Sequence, residues 1–333
     1  MQQPSATDRA LLQQHSYSVS YTPEEQVGQF TGWTLQYRQL SGGRFCARSS
    51  ITRWPGFSIH AEELNKRILQ RGRVPQGQIA VGIPLVLQGH SSMCGSASSQ
   101  DTLHVFSCYP EFEFASPENH LLMNLEFNPS TLSRTGQDLA KKLLALLDRP
   151  SISLQPDTAN ALRNMIAAAR LLISPAPDQV QGLHEIWRQQ LEQQLLYGLI
   201  ETLSVPSHPT HFRLHRAKSW KIVQHVEALL ADPASCALSV SELCVQLNMS
   251  RRTLQYAFEY AAGMSPVSFL RAIRLNHARQ TLLDGRSVTY AATQWGFLHL
   301  GAFAHDYQQL FGELPSVTQK RLRQRPHTQA RKR

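Results

Sequence analysis

From Gly32 to Phe127, apolar and polar residues alternate in short runs broken by Gly, Pro and Ser, the period-two signature of strands. Trp33 to Leu40 alternates, Ser41-Gly42-Gly43 turns the chain, and Phe45 to Thr52, Phe57 to His60, Gln78 to Pro84, Thr102 to Ser107, Glu111 to Phe114 and His120 to Phe127 follow as further strands. Several short strands with regular turns predict a small β-barrel or sandwich. After Asn128-Pro129 the period becomes helical, and helices are predicted over Leu132–Leu147, Thr158–Ile173 and Gly182–Leu203. The last carries Leu183, Ile186, Trp187, Leu191, Leu195 and Leu196 near helical spacing, which reads equally as packing within the domain or as a dimer face. Val205–His215, with Pro206 and Pro209, reads as a linker, and Trp220–Leu230 as a short amphipathic helix opening a second domain.

Ser239 to Pro315 holds one pattern twice. Ser239 aligns with Ser287, Val240 with Val288 and Leu247 with Trp295. After one extra residue in the second copy, Leu254 aligns with Phe303, Phe258 with Tyr307, Gly263 with Gly312 and Pro266 with Pro315. Each copy reads as two short helices joined by a tight turn. In the first, Ser239 or Ser241 caps a helix bearing Val240, Leu243, Cys244 and Leu247, and Asn248-Met249 turns. Ser250 then caps a helix with Leu254, Ala257, Phe258 and Ala261 on one face and Arg252, Gln255, Tyr256 and Glu259 on the other. In the second, Trp295-Gly296-Phe297 leads into Leu300, Phe303, Tyr307, Leu310 and Phe311, opposite Gly301, His305 and Gln308.

A short helix, a turn and a two-faced second helix form a helix-turn-helix, whose second helix suits the major groove of DNA. Pro266–Leu283 reads as a single helix between the copies, with Pro266 tolerated in its first turn. Its length of ~27 Å, at ~1.5 Å per residue, together with the hairpins' own width, would hold two reading helices near one DNA turn apart, ~34 Å.

The charge agrees with this placement. The net charge is +9; residues 218–333 hold 15 Lys and Arg against 7 Asp and Glu, and residues 1–217 hold 18 against 17. The excess therefore accompanies the paired motif, as a phosphate-binding surface requires. Seven basic residues of it lie between Lys320 and Arg333, which read as a solvated tail or as further DNA contact.

The strings Ser250-Arg251-Arg252-Thr253-Leu254-Gln255, Gly263-Met264-Ser265-Pro266, Ile273-Arg274-Leu275-Asn276, Trp295-Gly296-Phe297 and Tyr307-Gln308-Gln309-Leu310-Phe311-Gly312, closing in Pro315-Ser316, make residues 218–325 resemble the DNA-binding domain of the AraC/XylS family of bacterial transcription regulators. Gln294 to Ser316 resembles the ethanolamine-utilisation regulators within it, and Gln36 to Phe45 resembles the sensor barrels of the group. The resemblance implies an effector-responsive activator with ethanolamine and adenosylcobalamin as candidate effectors. The implied partners are double-stranded DNA, RNA polymerase and a second copy of the chain.

The expected fold class is α+β. Flexible residues 1–28 precede a sensor and dimerisation domain over 29–204, a small β-barrel or sandwich with helices. A linker over 205–217 leads to an all-α domain over 218–325, two helix-turn-helix units joined by a long helix, and a basic tail over 326–333. No apolar tract is long enough to span a membrane and Met1 to Gln14 lack a secretory pattern, so the protein is expected in the cytoplasm.

Other chemistry finds little support. The five cysteines have no C-x-x-C spacing and read as reduced packing thiols. Some proteins with this DNA-binding domain accept methyl groups on zinc-bound cysteines, which requires a cluster this chain lacks. His208, His211 and His215 lie together, but no cysteine or carboxylate joins them at a metal-binding spacing. Phosphate-loop, nucleophile-elbow and zincin motifs are missing, so no enzyme is expected.

Arg252 suits a bidentate contact to guanine, Gln255 one to adenine, and Tyr256 a thymine methyl or a phosphate. The resemblance places these three at groove-facing positions. His305 is the polar side chain at the matching positions of the second helix. Ser250, Arg251, His299 and Gly301 lie at or near helix N-termini, where N–H groups favour phosphate. Arg274, between Ile273 and Leu275, is expected to pair within the domain. In the sensor, Trp33, Tyr37, Trp54, Phe57 and His60 read either as pocket lining or as core. Two further readings are a sequence-indifferent architectural DNA binder and a DNA-tethered protein-interaction module.

Overall fold

A computed structural model describes residues 14–54, 56–132, 134–147, 150–172, 181–204 and 213–324. Contacts divide the chain into two units. One gathers the residues up to Tyr37, Cys46–Asn65 and Gln70–Arg213; the other gathers Arg38–Phe45, Lys66–Leu69 and Leu214–Arg333.

The elements of the first part are β1 (Gln14–Ser20), α1 (Pro23–Val27), β2 (Thr34–Gln39), β3 (Ala47–Trp54), β4 (Phe57–Leu64), β5 (Ile68–Arg73), β6 (Ile79–Val86), β7 (Ser91–Met93), β8 (Ser96–Ser98), β9 (Thr102–Ser107), β10 (Phe112–Ala115), β11 (His120–Phe127), α2 (Arg134–Leu144), β12 (Ser151–Ser153), α3 (Pro156–Leu172) and α4 (Gln181–Ser204). The strands form a seven-stranded sheet in the order β1-β3-β4-β11-β6-β9-β12 and a five-stranded sheet in the order β2-β5-β10-β7-β8. The second part holds α5 (Arg213–Leu230), α6 (Val240–Gln246), α7 (Arg251–Ala261), α8 (Pro266–Leu283), α9 (Val288–Gln294), α10 (Leu300–Phe311) and α11 (Pro315–Gln324). The fold class is therefore α+β, with a sheet unit followed by a helical one.

Alternation sorts the large sheet into two unlike faces, because successive side chains on a strand point to opposite sides. Phe57, Ile59 and Ala61 of β4, Ile79, Val81 and Ile83 of β6, Leu103 and Val105 of β9, and Met123, Leu125 and Phe127 of β11 share one apolar cluster. Leu139 and Leu143 of α2, Leu162 and Ile166 of α3, and Leu195, Leu196 and Leu199 of α4 close over it. The intervening positions face the other way: Ser58, His60 and Glu62 on β4, Asn124 and Glu126 on β11, and His104 on β9. All are buried. A second apolar cluster, with Trp33, Val74, Ala80, Phe106, Phe112 and Phe114, fills the remainder of that side.

Several sequence expectations change. Residues 1–28 are expected to be flexible, yet Gln14–Ser20 pairs antiparallel with Ala47–Arg53 and Pro23–Val27 is helical. The strand QHSYSVS has one aliphatic residue and so carries little hydrophobic period. β5, β7, β8 and β12 are also additional. Three of them are three residues long, too short for a pattern to register. The helix expected from Trp220 begins at Arg213, so residues 213–217 belong to it and not to a linker. Residues 205–212, with His208 and His211, and the tail over 326–333 lie outside the described residues. On α4, Leu195 and Leu196 are buried in the apolar cluster; the side chains of Leu183, Ile186, Trp187 and Leu191 lie outside the description.

Candidate nucleic-acid interface

Serine caps set the helices of the C-terminal unit. Ser239 Oγ accepts from Glu242 N, while the Glu242 carboxylate accepts from Ser239 N at 2.7 Å, a reciprocal capping box. The turn after α6 places Asn248 at φ 47°, a left-handed position that asparagine tolerates. Ser250 Oγ then accepts from Thr253 N at 3.1 Å and starts α7. Ser265 and Ser287 cap α8 and α9 in the same manner. His299, at the start of α10, makes no side-chain cap bond. Gly312 ends α10 at φ 69°, a conformation glycine adopts without steric cost.

Each second helix has a buried side and an outward side. On α7, Leu254, Ala257, Phe258 and Ala261 are buried, and Phe258 meets Phe269 of α8 edge to face at 5.2 Å. On α10, Phe303, Tyr307, Leu310 and Phe311 are buried. Trp295 stacks on His277 of α8 at 4.3 Å and donates from Nε1 to Thr281 Oγ1 at 2.8 Å, anchoring the turn of the second copy. The spacer helix thus serves as the common support for both copies, over the range Pro266–Leu283 expected from the sequence.

The residues singled out by sequence lie on the outward sides. Ser250, Arg251, Arg252, Tyr256, His299, Gly301 and His305 are exposed and Gln255 is half-buried. Within α7 they form two pairs one helical turn apart. Arg252 Nη2 donates to the Tyr256 hydroxyl, and Gln255 Nε2 donates to Glu259 Oε1 at 2.5 Å. On α10, His305 Nε2 and Gln309 Nε2 are 2.9 Å apart. Gly301 has open space where a Cβ would stand, so packing does not require glycine there. Arg286 lies over the Tyr290 ring at 5.3 Å, and both are exposed. Sequence reading missed this basic-aromatic pair, although its i, i+4 spacing was visible.

A buried polar network, also unforeseen, holds α10 to α8 and α11. Arg279 is 3% exposed and lies over the Phe311 ring at 4.8 Å. Its Nη1 donates to Glu313 Oε1 at 2.9 Å, where Thr318 Oγ1 also donates at 2.7 Å, and Arg321 pairs with the same carboxylate. Burial pushes the Glu313 carboxyl up, but the hydrogen bonds from Thr318 and Arg279 outweigh it and hold the group below its ordinary value. Burial raises the Tyr307 hydroxyl to about 12. Arg274, expected to pair within the domain, is half-buried, and its Nε has no hydrogen-bond partner among the described residues.

Elsewhere, the aromatic candidates of the sheet unit are buried. Trp33 Nε1 donates to Glu126 Oε2 at 2.8 Å, Tyr37 Oη donates to Glu62 Oε1 at 2.8 Å, and His60 stacks on Phe30 at 5.3 Å. Phe57 points into the apolar cluster and stacks on Phe127 at 6.2 Å. The side chain of Trp54 lies outside the description. All five cysteines are free, and no group of three metal-capable side chains occurs among the described residues. Among them, no helix is long and apolar enough to cross a membrane.

Residues 243–321 match the family described as a helix-turn-helix domain. The chain is 34% identical over 141 residues to a protein of Rhodococcus erythropolis named "Probable thc operon regulatory protein", covering 40% of this chain and 42% of that one. It is 39% identical over 102 residues to the XylDLEGF operon transcriptional activator of Pseudomonas putida, covering 29% and 30%. A solved structure described as a probable AraC family transcriptional regulator from Rhodopseudomonas palustris is 36% identical, covers 31% of this chain and 97% of that one, and superposes with a TM-score of 0.27. The chain thus spans less than half the length of these two operon regulators. Its C-terminal unit carries a helix-turn-helix domain similar in sequence to those of these transcription regulators.

Proposed function

We propose that the whole chain is an effector-responsive, sequence-specific DNA-binding regulator, acting as a transcription activator. The observation that supports this reading is the pair of helix-turn-helix units on one spacer helix, each presenting a second helix with a mainly apolar buried side, Asp306 of α10 being the exception, and an exposed polar side. Arg252, Gln255 and Tyr256 of α7 and His305 of α10 are the proposed base readers. Ser250, Arg251, His299 and Gly301 are the proposed phosphate contacts, since they stand at helix N-termini. The exposed side of α10 offers few base-reading groups, so this helix contributes through backbone contact and DNA shape more than through base edges.

The sheet unit is the proposed sensor. Ethanolamine and adenosylcobalamin are the effector candidates offered by the resemblance, and the polar inner face of the large sheet is where a small ligand would bind. RNA polymerase and a second copy of the chain are the proposed protein partners, in the cytoplasm. The architectural reading is less well supported, because it leaves the sheet unit without a role.

Selection of bound sequences from a random DNA pool at physiological salt tests the reading. Specific sites of such proteins bind roughly 10³–10⁷ tighter than random DNA. Two enriched blocks about 10 bp apart are expected. Binding that vanishes with salt and enriches no sequence, with or without the candidate effectors, overturns it in favour of an architectural binder.

A further inference from the structure

The inner face of the large sheet is costlier than packing requires. His60 is 2% exposed and Asn124 6%, yet both ring nitrogens of His60 and Asn124 Oδ1 have no hydrogen-bond partner among the described residues. Buried polar groups without partners are unfavourable, and apolar residues would fill the same space at less cost. A face of this kind persists where something else supplies the missing partners.

One row of that face reaches open space. Arg53 pairs in register with Ser58, and Ser58 with Glu126, so the three sit side by side on β3, β4 and β11. They line a cavity of about 280 Å³ at the ends of these strands, together with Thr31, Gln78 and Thr131. Gln78 Oε1 is buried and has no partner. The Arg53 guanidinium donates from Nη2 to Thr31 Oγ1 at 3.5 Å, a long contact. Glu126 Oε2 accepts from Trp33 Nε1 and stands 3.6 Å from His60 Nε2. Among the described residues, Arg53 has no carboxylate within ion-pair distance and Glu126 no lysine or arginine. The two backbones stand two strands apart, ~10 Å at ~4.8 Å per strand; burial raises the Glu126 carboxyl, while hydrogen bonds from Trp33 and Ser58 and the more distant charge of Arg53 work against it.

We propose that this cavity binds a small zwitterion of the amino-acid class, with its cationic nitrogen on Glu126 and its carboxylate on Arg53. An amine alone leaves the guanidinium without a carboxylate at ion-pair distance, and a carboxylate alone leaves Glu126 without a cation at that distance. A molecule carrying both charges satisfies both through charge-assisted hydrogen bonds. Phe57 and Phe127 border the same cavity and cover the connecting carbons, while Thr31, Ser58, Gln78 and Thr131 supply neutral polar contacts. The inference rests on the reading of the sheet unit as a sensor, and it replaces an amino alcohol with an amino acid as the ligand class.

Titration calorimetry on the full chain tests it with glycine, 4-aminobutyrate and 6-aminohexanoate, against butylamine, butyrate and ethanolamine. Saturable heat is expected with at least one zwitterion, and binding roughly tenfold or more weaker for each one-charge probe. R53Q and E126Q should each weaken zwitterion binding by a similar factor. The glutamine at 126 keeps an oxygen for Trp33, and a thermal melt confirms that each variant is folded. No heat with any of the three zwitterions, equal binding of butylamine or ethanolamine, or unchanged binding by folded R53Q overturns the proposal. DNA selection by the same preparation separates the two readings. Specific DNA binding without zwitterion binding removes this site alone, and zwitterion binding without DNA specificity removes the regulator reading alone.

Discussion

Arg252 Nη2 donates to the Tyr256 hydroxyl at 3.0 Å, and its guanidinium carbon lies 5.3 Å from the centre of the Tyr256 ring. An exposed i, i+4 pair of this kind contributes a few tenths of a kcal/mol. A guanidinium on the edge of guanine discriminates by ~1–3 kcal/mol. If Arg252 reads a base as proposed, the base contact is the stronger of the two and the pair yields to it. R252A is expected to lose ~1–3 kcal/mol at one operator position and to bind the variants of that position equally. Competition binding with single-base operator variants reads this. A uniform loss across all sequences would make Arg252 a phosphate contact instead.

Gly301 separates stability from function. It is an exposed glycine in the first turn of α10, with nothing within 4 Å of the place a Cβ would occupy. Alanine there should stabilise the helix by a few tenths of a kcal/mol, below the ~0.5–1 kcal/mol that glycine costs in a helix interior, because Gly301 lies in the first turn. If the backbone at Gly301 approaches DNA, the added methyl group meets the phosphate. G301A is therefore expected to unfold at higher temperature and to bind its operator more weakly. A variant that is more stable and binds equally well removes Gly301 from the interface.

Glu313 is the common acceptor for Arg279, Thr318 and Arg321. Its removal leaves the Arg279 guanidinium buried without its carboxylate, a change that costs ~3–5 kcal/mol in comparable settings. E313A should lower the urea midpoint of the C-terminal unit accordingly, with E313Q intermediate because it keeps one acceptor. An effect under about 1 kcal/mol would mean that water reaches Arg279.

Acid should weaken the sheet unit through its histidines. Burial lowers His60 and His104 to about 3 and His120 to about 4, against about 6.5 in an unfolded chain. Between those values the unfolded chain binds protons that the folded one refuses, so stability falls as pH drops below about 6.5. Glu62 works in the opposite sense: burial raises it to about 7. Its contribution is full below the unfolded value of about 4.5 and is lost as pH rises through about 7. Counting these four groups, the unfolded chain holds about two more protons at pH 5.5, a contribution by which stability rises by roughly 2–3 kcal/mol per pH unit. E62Q removes one opposing group, the buried Glu126 being raised as well, and should steepen that slope. Urea unfolding at pH 5, 5.5 and 6 measures both, and an equal or shallower slope in E62Q contradicts the assignment.

The paired motif was legible because its information is local. Caps such as Ser239 and Ser250, the apolar faces of α7 and α10, and Pro266 at the start of the spacer each lie within a few residues of what they determine. The sheet unit was legible as strands but not as a site. Arg53 and Ser58 pair across a local hairpin, but Glu126 joins them through pairing with a strand about 70 residues away, and nothing nearby in the chain marks that register. Trp33 and His60 were visible as aromatic candidates, but nothing in the sequence singles out Glu126, which accepts from Trp33 and stands 3.6 Å from His60. The Arg279–Glu313 network was hidden for a similar reason: in sequence, both residues resemble ordinary surface charges.

The division of β4 and β11 between two faces bears on how such a protein can diverge. Phe57, Ile59, Met123 and Leu125 hold the sheet to its helices, while Ser58, His60, Asn124 and Glu126 alternate with them and stand outside that apolar layer. Substitutions on the polar set can therefore alter what the interior accepts without disturbing the scaffold. A single-residue deletion within either strand would exchange the two sets and spoil both at once. Descendants of this chain should vary in chemistry by replacement along these strands, and in length only at their ends.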